Sequence, residues 1–132
     1  MRILIVGEGG AAPALEGALE GAGMDVEHAS EGELSVPGGD EVGELAGALL
    51  AFDRLFSDDP PDAVLVLSAS NLALSAVLVA TKLQIPVATL AEGSPGSPAP
   101  GMNGRLVEQL ADGTVADDPA TIATSLRDLI AA

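Results

Sequence analysis

The sequence contains no cysteine, tryptophan or tyrosine, and it has only two phenylalanines and one histidine. Without cysteine the chain forms neither a disulfide framework nor a thiolate zinc site. His28 has no second imidazole with which to build a metal cluster, and it is interpreted as an exposed residue at the end of a strand. Because aromatic rings are scarce, the usual stacking platforms for bases and sugar rings are missing. We therefore expect no metal site and no cofactor.

Basic residues are also scarce, since five lysines and arginines stand against 20 aspartates and glutamates, for a formal net charge of −15. A surface with this charge repels nucleic acid and anionic membranes, and it raises the free-energy cost of holding a phosphate group. We therefore expect neither nucleic acid nor a membrane as a partner. Most of the acidic side chains are interpreted as solvating groups.

Long apolar runs do not occur. No stretch reaches the roughly 18 apolar residues of a membrane span, and the apolar opening at residues 1–6 is far too short for a signal peptide. We expect a soluble, cytoplasmic protein. The 132 residues are enough to bury a core without disulfides or metals, and residues 1–132 are interpreted as one domain.

The clearest apolar pattern covers residues 62–93 and predicts a strand, a turn, a helix and a second strand. Residues 63–67 show no polar alternation, which is typical of a central parallel strand with both faces covered. Asn71 is the predicted cap of a helix over residues 72–83. The chain then restarts as a strand at residues 85–87, so the pattern indicates a parallel strand-helix-strand unit.

The predicted helix over residues 72–83 is apolar around its whole circumference. A helix of this kind must be buried on all sides. One face can lie on the sheet, and we expect the other to be covered by a second copy of the chain, which predicts a homodimer through this helix. The apolar residues are Leu72, Ala73, Leu74, Ala76, Val77, Leu78, Val79 and Ala80.

The rest of the chain continues the alternation of strands and helices. A helix over residues 41–57 carries an apolar face predicted to pack on the sheet, and a last helix over residues 119–130 is predicted to be capped by Asp117 or Asp118. The alternation predicts an α/β fold with a single three-layer, doubly wound parallel sheet of about five strands, Rossmann-like or flavodoxin-like. The other predicted strands are residues 2–6, 24–29 and 113–116, the other helices are residues 14–22 and 102–111, and the face of the 41–57 helix is Val42, Leu45, Ala46, Leu49, Phe52, Leu55 and Phe56.

A glycine-rich turn follows the first strand. Gly7, Gly9 and Ala12 match the G-x-G-x-x-A form of the dinucleotide-binding fingerprint between a strand and a helix. Gly7, Gly9 and Gly10 are therefore candidate ligand-binding residues. A tight turn that lets the strand and the helix pack closely explains the same glycines without any ligand.

The acids around this turn oppose phosphate binding. Glu27 or Glu31 lies near the position of a ribose-binding acid, but Glu8 places a carboxylate where a pyrophosphate would lie. A like charge costs on the order of 1 kcal/mol at such a distance, which offsets the attraction of free helix amides. We therefore expect NAD and UDP to bind no tighter than about millimolar, and Glu8→Arg to tighten any phosphate binding.

One further acid is a catalytic candidate. Glu92 follows the second apolar strand of the central unit, at the carboxyl end of a strand, where open α/β sheets bind their ligands. A single carboxylate at this place is also explained as a solvated surface group.

Two motifs of the chain resemble a known family. Residues 61–93, PDAVLVLSASNLALSAVLVATKLQIPVATLAEG, and residues 103–112, NGRLVEQLAD, are similar to the amino-terminal domain of the non-hydrolysing UDP-N-acetylglucosamine 2-epimerases. That family shows PDxVLVxGDTTxxLA, then IPVxHVEAG, then ENRRLIDxLAD. Glycosyltransferases with two Rossmann domains share the strand-helix-strand part, and the helix with asparagine and arginine favours the epimerases. The resemblance implies ligand contacts at Ser68, Ser70, Asn71, Asn103 and Arg105.

The chain departs from the family pattern at the acidic and basic positions. The acid of the GDTT turn falls on Ala69, the histidine before VEAG on Thr89, and the glutamate on Ala91, with Glu92 one place late. The arginine of the first turn falls on Gly9, and the acids before the asparagine-arginine helix fall on two further uncharged residues, Pro100 and Gly101. These 132 residues also contain no counterpart of the family's second Rossmann domain.

The resemblance and its departures together predict a reduced, catalytically degenerate epimerase-like domain that acts by assembly or by weak binding of a nucleotide sugar. One alternative is a sugar-nucleotide isomerase or transferase with a site shared between chains, which Glu92 with Arg105 would support. Another is a dinucleotide-binding module built on the glycine turn. A weaker resemblance to bacterial receiver domains places the phosphate-accepting aspartate of that family on Ser68.

Overall fold

The structure is a computed structural model that describes residues 1–7, 12–29, 41–90 and 101–132. Within these residues, five parallel strands form one sheet in the order β2-β1-β3-β4-β5, and five helices connect and cover them. The predicted α/β, doubly wound parallel sheet is confirmed. In chain order the elements are β1 (Arg2–Val6), α1 (Ala12–Gly21), β2 (Asp25–Ala29), α2 (Glu41–Asp58), β3 (Ala63–Val66), α3 (Asn71–Lys82), β4 (Val87–Leu90), α4 (Met102–Leu110), β5 (Gly113–Val115) and α5 (Ile122–Ala131).

The central position predicted for β3 is confirmed. Its four residues are buried, and it pairs with β1 on one side and β4 on the other. In this register Ile5 lies opposite Leu65, and on its other side opposite His28 of the edge strand β2. Because all strands are parallel, their carboxyl ends meet at one edge of the sheet, called here the carboxyl edge.

The sheet separates two apolar cores. On one face, side chains of β1, β3 and β4 pack against α2, α3 and α4, including the two phenylalanines Phe52 and Phe56. On the other face, alternate side chains of the same strands pack against α1 and α5 around Leu15, Leu19 and Leu126. This two-sided burial explains why the strands are apolar without alternation.

The sequence correctly predicts that α3 is buried, although helices of the same chain supply most of the cover that was expected from a second copy; the homodimer itself stays a prediction. Eight of its twelve residues are buried, among them Leu74 and Val77. The neighbouring helices α2 and α4 of the same chain pack on both sides of α3, and the sheet lies beneath it. Only the carboxyl-terminal part of α3, with Thr81 and Lys82, is exposed.

Two further expectations about helices need correction. On α2, Phe52 and Phe56 face the core as predicted, whereas Val42 is 74% exposed and Leu55 is also exposed, because this helix packs mainly on α3. The last helix begins at Ile122 rather than at residue 119. The Asp118 carboxylate accepts hydrogen bonds from the Ala120 amide and the Thr121 hydroxyl, which holds the chain in a turn before α5.

Arg2 ties three segments together at the opposite, amino edge of the sheet. Its amide donates to Asp62 (2.6 Å), and its guanidinium donates to Glu27 (2.6 Å) and pairs with Asp59. The hydrogen bond to Glu27 raises the pKa of the Arg2 guanidinium above its ordinary value. This arginine is therefore engaged far from the carboxyl edge.

Among the described helices, none is both long and apolar enough to cross a membrane.

Candidate functional site

The carboxyl ends of β1 and β3 meet where the order of the strands reverses. β1 connects toward β2 on one side of the sheet, and the chain then returns to β3 on the other side. Open α/β sheets bind ligands at such a reversal. Gly7 follows β1 here, and the segment Ser68 to Asn71 follows β3, so the two turns singled out in the sequence come together at one place.

Gly7 is held by close packing against the β3–α3 turn. Its φ is +105°, in a region that favours glycine, and a Cβ built on it would lie 2.5 Å from Ser68 Oγ and 3.1 Å from Ser68 N. The Gly7 amide donates to the Ala29 carbonyl over 3.1 Å. The contact between two turns thus accounts for the first glycine of the fingerprint, whereas the tight-turn interpretation assigned it to packing of the strand against the following helix.

The β3–α3 turn presents two hydroxyls and starts a helix. Ser68 Oγ lies 3.3 Å from Ser70 Oγ, and Ser70 Oγ accepts a hydrogen bond from the Ala73 amide over 3.2 Å. Ser70 is therefore the cap of α3, and the expectation that Asn71 caps it is wrong by one residue. Serine and asparagine are equally good caps, so the residue types alone could not separate the two positions.

Asn71 instead joins two helices. It is the first residue of α3, and its Oδ1 accepts a hydrogen bond from Asn103 Nδ2 of α4 over 3.0 Å. Both asparagines are partly buried. This bond brings Asn103, predicted from the family resemblance, next to the β3–α3 turn.

Arg105 does not join this group. It lies two residues after Asn103 on α4, about 200° around the helix, and its side chain is exposed. Among the described residues it makes no ion pair. The other candidates Gly9, Gly10 and Glu92 lie outside the described residues, as does Glu8.

The contacts of His28 beside Gly7 could not be predicted from the sequence. His28 Nε2 lies 2.6 Å from the Gly7 carbonyl oxygen, and Nδ1 lies 2.9 Å from Glu16 Oε1. A carbonyl oxygen only accepts, so Nε2 carries the proton of this bond. Glu16 Oε1 is buried and has no other hydrogen-bond partner among the described residues. His28 therefore connects the ends of β1 and β2 to α1, which only the topology reveals.

Apart from His28 and Glu16, the described groups gathered at this edge are neutral hydrogen-bonding groups. Hydroxyls of Ser68 and Ser70 and the amides of Asn71 and Asn103 can hold hydroxyl, amide or carbonyl groups of a ligand. The ionisable pair of His28 and Glu16 is occupied with its own contacts. Across the described ranges, no three histidine, aspartate or glutamate side chains are placed to hold a metal ion.

Comparison with known proteins places the fold. No family profile matches the chain, and no curated protein does. A UDP-GlcNAc 2-epimerase from Neisseria meningitidis, solved bound to UDP-GlcNAc, is 19% identical over 96% of this chain and 43% of its own, with a TM-score of 0.67. The UDP-GlcNAc 2-epimerase from Methanocaldococcus jannaschii is 23% identical over 97% of this chain and 42% of its own, with a TM-score of 0.66.

A structure of another class is almost as similar. The amino-terminal domain of a response regulator/sensory box/GGDEF three-domain protein from Carboxydothermus hydrogenoformans is 20% identical over 99% of this chain and 94% of its own, with a TM-score of 0.62. The chain thus has the fold that the sequence resemblance to the epimerases predicts, and it spans about two fifths of the length of those enzymes. At these identities the likeness establishes the fold alone.

Proposed function

We propose that this chain is a catalytically degenerate, epimerase-like Rossmann domain that binds a nucleotide sugar weakly and does not epimerise it. The observation that carries the proposal is the chemistry of the strand reversal. Among the described residues, Ser68, Ser70, Asn71 and Asn103 offer hydrogen bonds there without an acid or a base, and the ionisable His28 and Glu16 are engaged with Gly7 and with each other. Epimerisation at a sugar carbon needs a general acid and a general base within reach of the reacting proton.

The positions that correspond to the family's ionisable groups support this interpretation. Thr89 stands where the family has a histidine, and it lies inside β4, only 1% exposed and paired with Val66 and Thr114 of the neighbouring strands. A threonine hydroxyl does not replace the imidazole as a general acid or base near neutral pH. Ala69 stands where the family has an acid, and a methyl group transfers no proton.

Charge explains why the binding should be weak. The net charge is −15, and Arg2 is engaged at the opposite edge of the sheet. Arg105 is the described base nearest in sequence to the asparagine pair, but it points away from Asn103. Without a base directed at the phosphates, we expect a dissociation constant for UDP-N-acetylglucosamine of about a millimolar or weaker.

The direct test is exchange of solvent deuterium at carbon 2 of UDP-N-acetylglucosamine, followed by NMR at high protein concentration. We expect no exchange above the rate without protein. In the same samples, amide resonances of residues 68–71 and 103 should shift on titration with the nucleotide sugar. Asn103→Ala should weaken this binding by about three- to tenfold, the value of one hydrogen bond, whereas Gln109→Ala on the exposed part of α4 should not change it.

Two outcomes would contradict the proposal in different ways. Exchange at an enzymatic rate would show that catalysis survives and would favour the alternative of a site shared between chains. Absence of any shift at the 68–71 turn up to about ten millimolar ligand would leave the epimerase-like fold without its expected ligand.

A further inference from the structure

The chain contains two asparagines, and they differ in the residue that follows them. Asn103 is followed by Gly104, whereas Asn71 is followed by Leu72. An asparagine before glycine is especially prone to spontaneous deamidation, because glycine has no side chain to hinder attack by its own backbone nitrogen on the asparagine amide. The leucine after Asn71 shields the corresponding nitrogen. The chain therefore carries one reactive asparagine and, hydrogen-bonded to it, one unreactive asparagine for comparison.

The reactive pair lies in the first turn of α4. At this end of the helix, the Arg105 amide donates to the Gly101 carbonyl over 3.0 Å. The Gly104 amide precedes that bond, so it has no acceptor within α4 itself. Gly101 caps the helix without a side-chain hydrogen bond, and a helix end of this kind opens readily. Attack by the Gly104 nitrogen therefore breaks no hydrogen bond internal to α4.

One contact restrains the Asn103 side chain. Its Nδ2 donates to Asn71 Oδ1 over 3.0 Å, and this bond is partly buried. Nδ2 is the group that leaves in deamidation, and the amide must turn toward the Gly104 nitrogen before the reaction. That rotation requires the bond to Asn71 to break. The bond between α3 and α4 thus opposes the reaction.

We propose that Asn103 is a site of spontaneous deamidation and that Asn71 is the residue that controls its rate. The Gly104 backbone nitrogen forms a bond to Asn103 Cγ, and the bond from Cγ to Nδ2 breaks. Nδ2 leaves as ammonia, which takes the proton of the Gly104 amide. Water then adds to one carbonyl carbon of the resulting cyclic imide and breaks the bond of that carbon to nitrogen. One water is consumed, one ammonia is released, and nothing is oxidised or reduced.

The products differ from asparagine in charge and in backbone. Hydrolysis of the imide leaves aspartate or isoaspartate at position 103. A carboxylate accepts hydrogen bonds but does not donate, so the bond to Asn71 Oδ1 is lost. Isoaspartate also carries the main chain through the side-chain carbon, which lengthens the first turn of α4. Both products add a negative charge next to the β3–α3 turn of a chain that already carries −15.

The test is incubation of the full folded chain at body temperature and mildly alkaline pH, followed by mass spectrometry of its peptides. We expect a gain of one mass unit that fragmentation places at Asn103 and not at Asn71. Chromatography separates the aspartate and isoaspartate peptides, and both should form. The chain unfolded in urea gives the unrestrained rate and should react faster than the folded chain.

Two variants of Asn71 test its control of the rate. Asn71→Ala removes the acceptor and should speed up deamidation of Asn103 by about three- to tenfold, the effect of one hydrogen bond. Asn71→Asp is the matched control, because its carboxylate keeps an acceptor of the same shape, and it should react as slowly as the native chain. Circular dichroism checks that each variant is folded. Asn71→Ser, whose side chain is shorter by one atom, replaces the alanine variant if that variant unfolds.

Two results would overturn the proposal. If Asn103 stays intact in the folded chain while the unfolded chain deamidates, the fold blocks the reaction and position 103 is not a modification site. If the folded variants with and without an acceptor at position 71 react at the same rate, the restraint comes from packing of α4 and not from Asn71.

Discussion

At the scale of single residues, Gly7 makes the sharpest prediction. Its φ of +105° disfavours any side chain, and a Cβ would lie 2.5 Å from Ser68 Oγ. Gly7→Ala should therefore lower the free energy of unfolding by about 2–4 kcal/mol, from backbone strain and from displacement of the β3–α3 turn. Urea denaturation measures the difference directly.

Two further variants separate the causes. Ser68→Gly in the Gly7→Ala background removes the contacts with Ser68 Oγ and Cβ. It leaves the backbone strain and the 3.1 Å contact with the nitrogen of residue 68, so it should restore only part of the loss. Gly17→Ala, on the exposed face of α1 where a Cβ meets nothing within 4 Å, should raise the free energy of unfolding by roughly 0.5–1 kcal/mol. Equal effects at Gly7 and Gly17 would show that the close contact with Ser68 is unimportant.

The residues of the candidate site could be predicted from the sequence only in part. Parallel strands bring their carboxyl ends to one edge, so the turn of Ser68, Ser70 and Asn71 could be placed beside Gly7 from the sequence. The bond between Asn71 and Asn103 could not be derived from local patterns, since it depends on how α4 packs against α3. The contacts of His28 could not be predicted for the same reason, because one partner follows β1 and the other lies on α1.

At the scale of elements, α3 was identified correctly but its neighbours were not. An apolar circumference shows that a helix is buried, yet it does not say which surface covers it. Here α2 is long enough to lie over α3. The Ser75 hydroxyl of α3 donates a hydrogen bond to the Leu45 carbonyl of α2 over 3.4 Å. The cover expected from a second copy is thus largely supplied by the same chain, and only the carboxyl-terminal end of α3, with Thr81 and Lys82, is left exposed.

This arrangement predicts different effects along the helical face. Leu74 is 2% exposed in the core beneath α2 and α4, so Leu74→Ala should lower the free energy of unfolding by about 2–5 kcal/mol. Val42→Ala, on the exposed first turn of α2, should change it by no more than about 0.5 kcal/mol. Thermal and urea unfolding measure both. A small effect at Leu74 would mean that the core of α3 is packed less tightly than the structure indicates.

At the scale of the whole molecule, the excess of acids should make stability depend on salt. Twenty acids and five bases are brought closer together by folding, so the folded state carries more self-repulsion than the expanded unfolded chain. Raising NaCl from about 0.02 M to about 0.5 M shortens the screening length to a few ångströms and removes most of this repulsion. We expect a gain of about 1 kcal/mol, or roughly 3–6 °C in melting temperature for a chain of this size.

Scanning calorimetry at both salt concentrations measures this gain. A triple variant of exposed acids makes the net charge less negative without changing either core. Its substitutions are Glu20→Gln, Glu108→Gln and Asp128→Asn. It should melt higher than its parent at low salt and gain less from added salt, because less repulsion is left to screen. If both proteins gain equally, the salt acts on apolar burial rather than on charge, and the acidic surface is neutral for folding.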